Sequence, residues 1–210
     1  MRSADAMTVL RVLLIVAVAY LIVARFNPLA ITLIIAVAML LDAVDGYFAV
    51  HEASGGKVGF SMYVNALAGN RKAHAMVKEY KAHMPKNARF GPRIDVAGDR
   101  AVEYILWITY TYVGVLPLFV VFIAVIRHSF VDAFMAAKGT SSKMKTRFAQ
   151  KVYSSNIGRG GINVVKFLAF SYLSLMYVWG YPAIIGYALV AILLAYIVIR
   201  GAAEIYEAYA

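Results

Sequence analysis

The sequence predicts an all-α integral membrane protein of six transmembrane helices, and three observations carry that prediction. Hydrophobic residues make up 62% of the 210 residues and charged ones 15%, against roughly 45–50% and about 25% in soluble domains. A water-soluble fold of this size has too little interior to hide so much apolar surface. Six apolar runs recur along the chain, each near the roughly 20 residues that a spanning helix needs. Lys and Arg number 21 against 11 Asp and Glu, for a net charge of +10, and they gather in two long loops. In a soluble chain that excess would suggest nucleic acid. In a membrane chain it marks loops held in the cytoplasm beside anionic lipid, so membrane lipid and not nucleic acid is the expected partner. The chain has no cysteine, which excludes disulfides, thiolate catalysis and Cys-ligated zinc.

The first run covers about residues 8–23 and is followed by Pro28. A signal peptide is excluded by Arg11 inside the run, by the lack of a small-x-small cleavage site, and by the spans downstream. The second run, about 29–50, is apolar until Asp42 and Asp45 appear in its last turns. The third, about 94–113, opens with Asp95 and Asp99. The fourth, about 116–134, has Pro117 in its first turn, where proline is tolerated. The fifth and sixth cover about 162–179 and 182–199. Trp107, Tyr112, Tyr177, Trp179 and Tyr181 lie near span ends, as an interfacial belt would.

Loop 51–93 carries eight Lys and Arg residues and loop 127–160 seven, whereas the short opposite connections hold only Arg25. The positive-inside rule then puts both termini and both long loops in the cytoplasm. After the Ser54-Gly55-Gly56 turn, Phe60, Tyr63, Val64 and Leu67 fall at helical spacing, and Met76, Val77, Tyr80 and Met84 do so again. With lysines opposite, this predicts two basic amphipathic helices lying on the membrane surface, within a single domain spanning 1–210.

Four of the 11 acidic residues sit at the cytoplasmic ends of the second and third spans. Each would cost about 2.5–3.5 kcal/mol facing mid-membrane hydrocarbon, and together they repel. Asp42 and Asp45, at i and i+3, share one helix face; Asp95 and Asp99, at i and i+4, share another. Antiparallel packing of the two helices would bring both pairs to one site. A divalent metal would compensate them, and all-oxygen ligation favours Mg²⁺, Mn²⁺ or Ca²⁺ over zinc. Gly46 and Gly91 accompany the pairs and would let backbone or ligand approach closely.

The stretch Asp42-Ala43-Val44-Asp45-Gly46-Tyr47-Phe48-Ala49 and the later Gly91-Pro92-Arg93-Ile94-Asp95-Val96-Ala97-Gly98-Asp99 resemble the signature of the CDP-alcohol phosphotransferase family. That signature reads D-x-x-D-G-x-x-A-R, a short spacer, then G-x-x-x-D-x-x-x-D. The start Thr8-Val9-Leu10-Arg11 resembles that of the glycerophosphate-type members, and the chain as a whole is most similar to the phosphatidylglycerophosphate and phosphatidylinositol-phosphate synthase-type members. The resemblance implies six transmembrane helices, usually in a homodimer, with the signature on the cytoplasmic ends of helices two and three. It implies displacement of CMP from a CDP-linked lipid (CDP-diacylglycerol or CDP-archaeol) by an alcohol hydroxyl. It implies a two-metal site of Mg²⁺ or Mn²⁺ on Asp42, Asp45, Asp95 and Asp99, with Asp99 as general base. Gly46, Ala49, Gly91 and, more weakly, Thr8 would bind the nucleotide. Two departures stand out. Val50 occupies the place of the signature arginine, which Arg89 or Arg93 would have to replace, and residues 51–90 are an insertion where the short spacer belongs.

Arg127, Arg159 and Lys166 lie at or near the cytoplasmic ends of the fourth and fifth spans. An ionisable group inside the membrane is a functional candidate, and Arg grips phosphate bidentately. The three are therefore the expected acceptor-phosphate site, which favours glycerol phosphate or inositol phosphate over an unphosphorylated acceptor such as serine. Glu103 continues the Asp95/Asp99 face and is expected to pair with Arg100 or Lys166, or to support the metal site. His51, His74, His83 and His128 lack metal-site spacing and read as surface residues. A cation transporter would spread its charges through the membrane depth, and a non-catalytic scaffold would leave the four aspartates without a purpose.

Overall fold

The computed structural model describes residues 3–82, 91–138 and 156–209, and every regular element among them is helical. In chain order these are α1 (Ser3–Val23), α2 (Pro28–Ala53), α3 (Phe60–Leu67), α4 (Arg71–Ala82), α5 (Gly91–Tyr112), α6 (Leu118–Lys138), α7 (Asn156–Trp179) and α8 (Ala183–Tyr209). Among the described residues, four stretches are long and apolar enough to cross a membrane: Asp5–Val23, Pro28–Glu52, Gly161–Trp179 and Ala183–Glu207. The helix α5 is not among them, because Asp95, Asp99, Arg100 and Glu103 crowd its first half. Leu13, Leu33, Leu40 and Ile184 are 60–78% exposed, an outward apolar surface suited to lipid.

Helix ends follow local chemistry. Pro28 opens α2, and the Asn27 side-chain oxygen accepts from the Leu29 N–H at 2.9 Å. The helix stops at Gly55 and Gly56, whose φ angles of 60° and 83° are costly for any residue with a side chain. Asn70 caps α4 by accepting from the N–H groups of Lys72 and Ala73 at 3.1 and 3.2 Å. The last helix runs ten residues beyond the apolar run that ends at 199. Hydropathy stops where charge appears, but helix does not: Arg200 and Glu204 pair at i, i+4 across 3.5 Å.

The chain divides into two compact units, residues 1–15 with 36–102 and residues 16–35 with 103–210. In the first, α3 and α4 pack on each other and on the end of α2. Val50, Val58, Tyr63, Ala66, Ala73 and Val77 form its apolar cluster, with Tyr47, Met62 and Tyr80 against it. The amphipathic helices thus turn part of their apolar faces inward. Phe60, Val64 and Met76 remain 41–58% exposed. His51 ties this segment down through a 2.9 Å contact between its Nδ1 and the Val58 carbonyl.

In the second unit, Trp107 and Tyr110 of α5 pack against Phe170 of α7. The Tyr110 hydroxyl donates to the Phe170 carbonyl at 2.6 Å. Helices α6 and α8 are joined by Arg127, whose Nε donates to the Ile197 carbonyl at 2.9 Å and whose Nη2 meets Glu204 at 3.2 Å.

Candidate functional site

The first unit holds the aspartates. Asp42 and Asp45 project from the last turns of α2 and Asp95 from the first turns of α5. Each offers one carboxylate oxygen, and those three oxygens lie within 4.8 Å of one another. Asp45 is buried, Asp42 half-buried and Asp95 exposed, so the cluster is open on one side. Asp99 stands outside this triplet. Its Oδ1 accepts from Arg11 Nη2 at 2.6 Å, and its side chain is 45% exposed.

Arg11 of α1 is the cation of the site. It is buried, and its other terminal nitrogen bonds Asp42 Oδ1. One guanidinium therefore bridges the two aspartate-bearing helices, which is the fork geometry that arginine supplies and lysine does not. Its Nε is buried with no hydrogen-bond partner among the described residues. Thr8, one turn before Arg11, donates to Asp45 Oδ2 at 3.5 Å. The close approach of α1 depends on Gly98. A Cβ there would collide with the Thr8 methyl and lie 3.4 Å from Arg11 Nη2.

An acidic triplet with oxygen donors alone suits a hard divalent cation. The nucleotide candidates divide in their surroundings. Thr8 is buried beside Asp45. Ala49 is half-buried one turn after it. Gly91 opens α5. Gly46 lies beneath Tyr63 of α3, whose hydroxyl would be 2.6 Å from a Cβ added there. Burial, and then the charge of Asp45, push the Tyr63 phenol above its ordinary pKa.

The acceptor candidates belong to the second unit. Lys166 Nζ bonds Glu103 Oε1, and His128 Nε2 lies 3.5 Å from Glu103 Oε2. The structure pairs Glu103 with Lys166, one of the partners expected for it, and adds His128. His128 is 1% exposed, which corrects its reading as a surface residue: the Glu103 carboxylate and the Tyr104 ring enclose it. Arg127 is held by Glu204 and the Ile197 carbonyl. Arg159 is in the first turns of α7 and Arg93 in the first turn of α5, but their side chains, like all of His83 and Arg89, lie outside the described residues.

Sequence reasoning missed three contributors. Arg11 served only to exclude a signal peptide and to extend the resemblance; a charged residue inside an apolar run was itself the signal. Gly98 sits between Asp95 and Asp99, directly before the latter, in a helix, a costly place for glycine. Val50 is completely buried in the apolar cluster. Val50 thus gives α3 and α4 an apolar seat on the end of α2.

Comparison with protein-family models, with curated proteins and with solved structures finds no match to this chain.

Proposed function

We propose that the protein is a membrane-bound CDP-alcohol phosphotransferase, which makes a phospholipid by displacing CMP from a CDP-linked lipid with the hydroxyl of a polar alcohol. The observation that carries the reading is the convergence of Asp42, Asp45 and Asp95 within 4.8 Å, on the two helices that bear the signature-like motifs. In this reading α5 and α6 complete six spans, both termini are cytoplasmic, and the site opens at the cytoplasmic face.

Asp42, Asp45 and Asp95 would hold Mg²⁺ or Mn²⁺. Bound metal would supply charge stabilisation for the diphosphate and the leaving CMP, as two ions about 3.5–4 Å apart do in related chemistry. Asp99 is the base. Arg11 occupies its Oδ1, which fixes the carboxylate and leaves Oδ2 to take the proton from the acceptor hydroxyl as that oxygen attacks the β-phosphorus. The P–O bond to CMP then breaks. Thr8 and Gly98 hold α1 against the site so that Arg11 keeps this position.

A phosphorylated polyol remains the first acceptor reading. The carboxylates already bonded to Lys166 and Arg127 favour a second, an unphosphorylated acceptor such as serine, because a phosphate would have to displace Glu103 and Glu204. The test is CMP release from a CDP-lipid by the purified protein with Mg²⁺ or Mn²⁺, offered glycerol 3-phosphate, inositol phosphate, serine or no acceptor. Metal-dependent release with one acceptor supports the reading and names the substrate; no release from folded protein defeats it. Asp99→Asn should abolish turnover while Mn²⁺ still binds, and wild-type turnover in that variant would remove Asp99 as base.

A further inference from the structure

Arg11 brings three donor nitrogens to the aspartates and uses two. One terminal nitrogen bonds Asp42 Oδ1, and the other donates to Asp99 Oδ1 at 2.6 Å. The third, Nε, is buried, and nothing among the described residues accepts from it. A guanidinium is planar and rigid, so the Nε–H lies in the plane of the other two donors, within a guanidinium's width of both carboxylates. Arg11 is 3% exposed, so bulk water does not satisfy this donor either, and a buried donor without an acceptor is costly. The two ion pairs explain how α1 is tied to α2 and α5. They do not explain the third donor. Charge says what its acceptor is. Ionised Asp42, Asp45, Asp95 and Asp99 together with Arg11 carry three negative charges, and two divalent ions on the carboxylates would reverse that sign. A site so reversed draws an anion. Phosphate suits both halves of it, since its oxygens ligate a hard cation and accept from a guanidinium.

We propose that Arg11 Nε donates a hydrogen bond to a phosphate oxygen of the ligand that the metal-loaded cluster of Asp42, Asp45 and Asp95 receives. This rests on the phosphotransferase reading above, since it requires a phosphorylated ligand at the cluster. It gives one rigid group two tasks: Nη2 holds Asp99, and Nε holds the phosphate beside it. The carboxylate that takes the proton and the phosphate of the ligand are then set by the same side chain. Gly98, which lets α1 come close enough, serves both.

The test uses the full-length protein in detergent, loaded with Mg²⁺ and then given CDP or glycerol 3-phosphate. Arginine Nε–H groups give separate proton–nitrogen NMR signals, and that of Arg11 is assigned through its own side-chain couplings. When ligand joins the metal, its Nε proton should move downfield and show coupling to phosphorus across the hydrogen bond. A shift with CDP supports the proposal and assigns the acceptor to the nucleotide's diphosphate; a shift with glycerol 3-phosphate alone supports it and assigns the acceptor to the polyol's phosphate. No shift in protein that calorimetry shows to be saturated with ligand would overturn it. Arg11→Lys is the second measurement. It keeps a positive charge between Asp42 and Asp99 and loses the Nε donor. Affinity for the ligand that gave the shift should fall about tenfold or more, the worth of one hydrogen bond to a charged group, with Mg²⁺ affinity and melting temperature little changed. A lowered melting temperature with ligand affinity intact would leave Arg11 a structural tie and overturn the proposal. Wild-type protein that binds Mg²⁺ but neither phosphorylated ligand would instead defeat the transfer reading beneath it, and the two failures are distinct.

Discussion

The two units treat buried carboxylates in opposite ways. In the second, Glu103 meets Lys166 and His128, and Glu204 meets Arg127 and Arg200. Glu103 and Glu204 each have more than one cationic or ionisable partner, which is how a buried charge is made tolerable. In the first, Asp42, Asp45, Asp95 and Asp99 share a single guanidinium, Arg11, among the described residues. A balanced cluster holds helices together. An unbalanced one is a site waiting for positive charge, and the imbalance carries more functional information than the count of acidic residues.

The strongest way to break that contrast is to remove one carboxylate from each unit. Asp45→Asn should lower Mn²⁺ affinity by at least about a hundredfold, beyond what loss of an outer-shell group costs, and abolish CMP release. Without metal its melting temperature should hold or rise, because one repelling charge has gone. Glu204→Gln should do the reverse, leaving Mn²⁺ affinity intact while destabilising by about 3–5 kcal/mol, since Arg127 and Arg200 lose their shared partner. Calorimetry and thermal unfolding on both variants check this. A destabilised Asp45→Asn with normal metal binding would make the aspartates structural.

A second break concerns the inserted segment. Val50→Arg places an unpaired charge among Val58, Tyr63 and Ala66. The cluster cannot hydrate it, and several kcal/mol of desolvation should detach α3 and α4 from α2. Limited proteolysis should then cut between residues 54 and 90 many times faster than in wild type. Wild-type resistance would mean that the segment is not seated on Val50.

Arg11 sharpens the comparison, because it links charge balance to metal. Arg11→Met keeps the length and removes the one cation that the described residues place at the aspartates. Metal-free protein should lose about 1–3 kcal/mol, less than a wholly buried pair because Asp42 and Asp99 are partly exposed. Mn²⁺ should bind more tightly than to wild type, since no guanidinium competes for Asp42. Unfolding followed with chelator and with Mn²⁺ reads both; a variant equally weak in both conditions would reduce Arg11 to packing.

What was legible in the sequence is what helical periodicity encodes. The spacing of Asp42 with Asp45 and of Asp95 with Asp99 gives shared faces, and apolar runs followed by glycine or proline give the long helices. The helical segments at 60–67 and 71–82 were legible for the same reason. What was not legible depends on partners remote in sequence. Arg11 meets carboxylates 31 and 88 residues away, and nothing local to it announces them. His128 looked superficial because it follows Arg127 at the end of an apolar stretch; its burial comes from Glu103 and Tyr104, on another helix. Tyr63 read as one apolar position among several, because period alone cannot tell which residue of an amphipathic face turns inward.

The smallest effect tests how finely the first unit is built. Thr8 touches the site twice, by a long 3.5 Å hydrogen bond to Asp45 and by a methyl packed over Gly98. Thr8→Val keeps the methyl and removes the hydroxyl. If the hydrogen bond matters, Mn²⁺ or CMP affinity should fall by a few-fold at most, as a weak bond worth under about 1 kcal/mol allows, while Thr8→Ala should lose more by loosening α1 over Gly98. If the two variants behave alike, the methyl contributes nothing to holding α1 in place, and the position of Arg11 rests on its own two ion pairs. If Thr8→Val matches wild type and Thr8→Ala does not, Thr8 acts through packing, and the resemblance that gave it a nucleotide role does not extend to this residue.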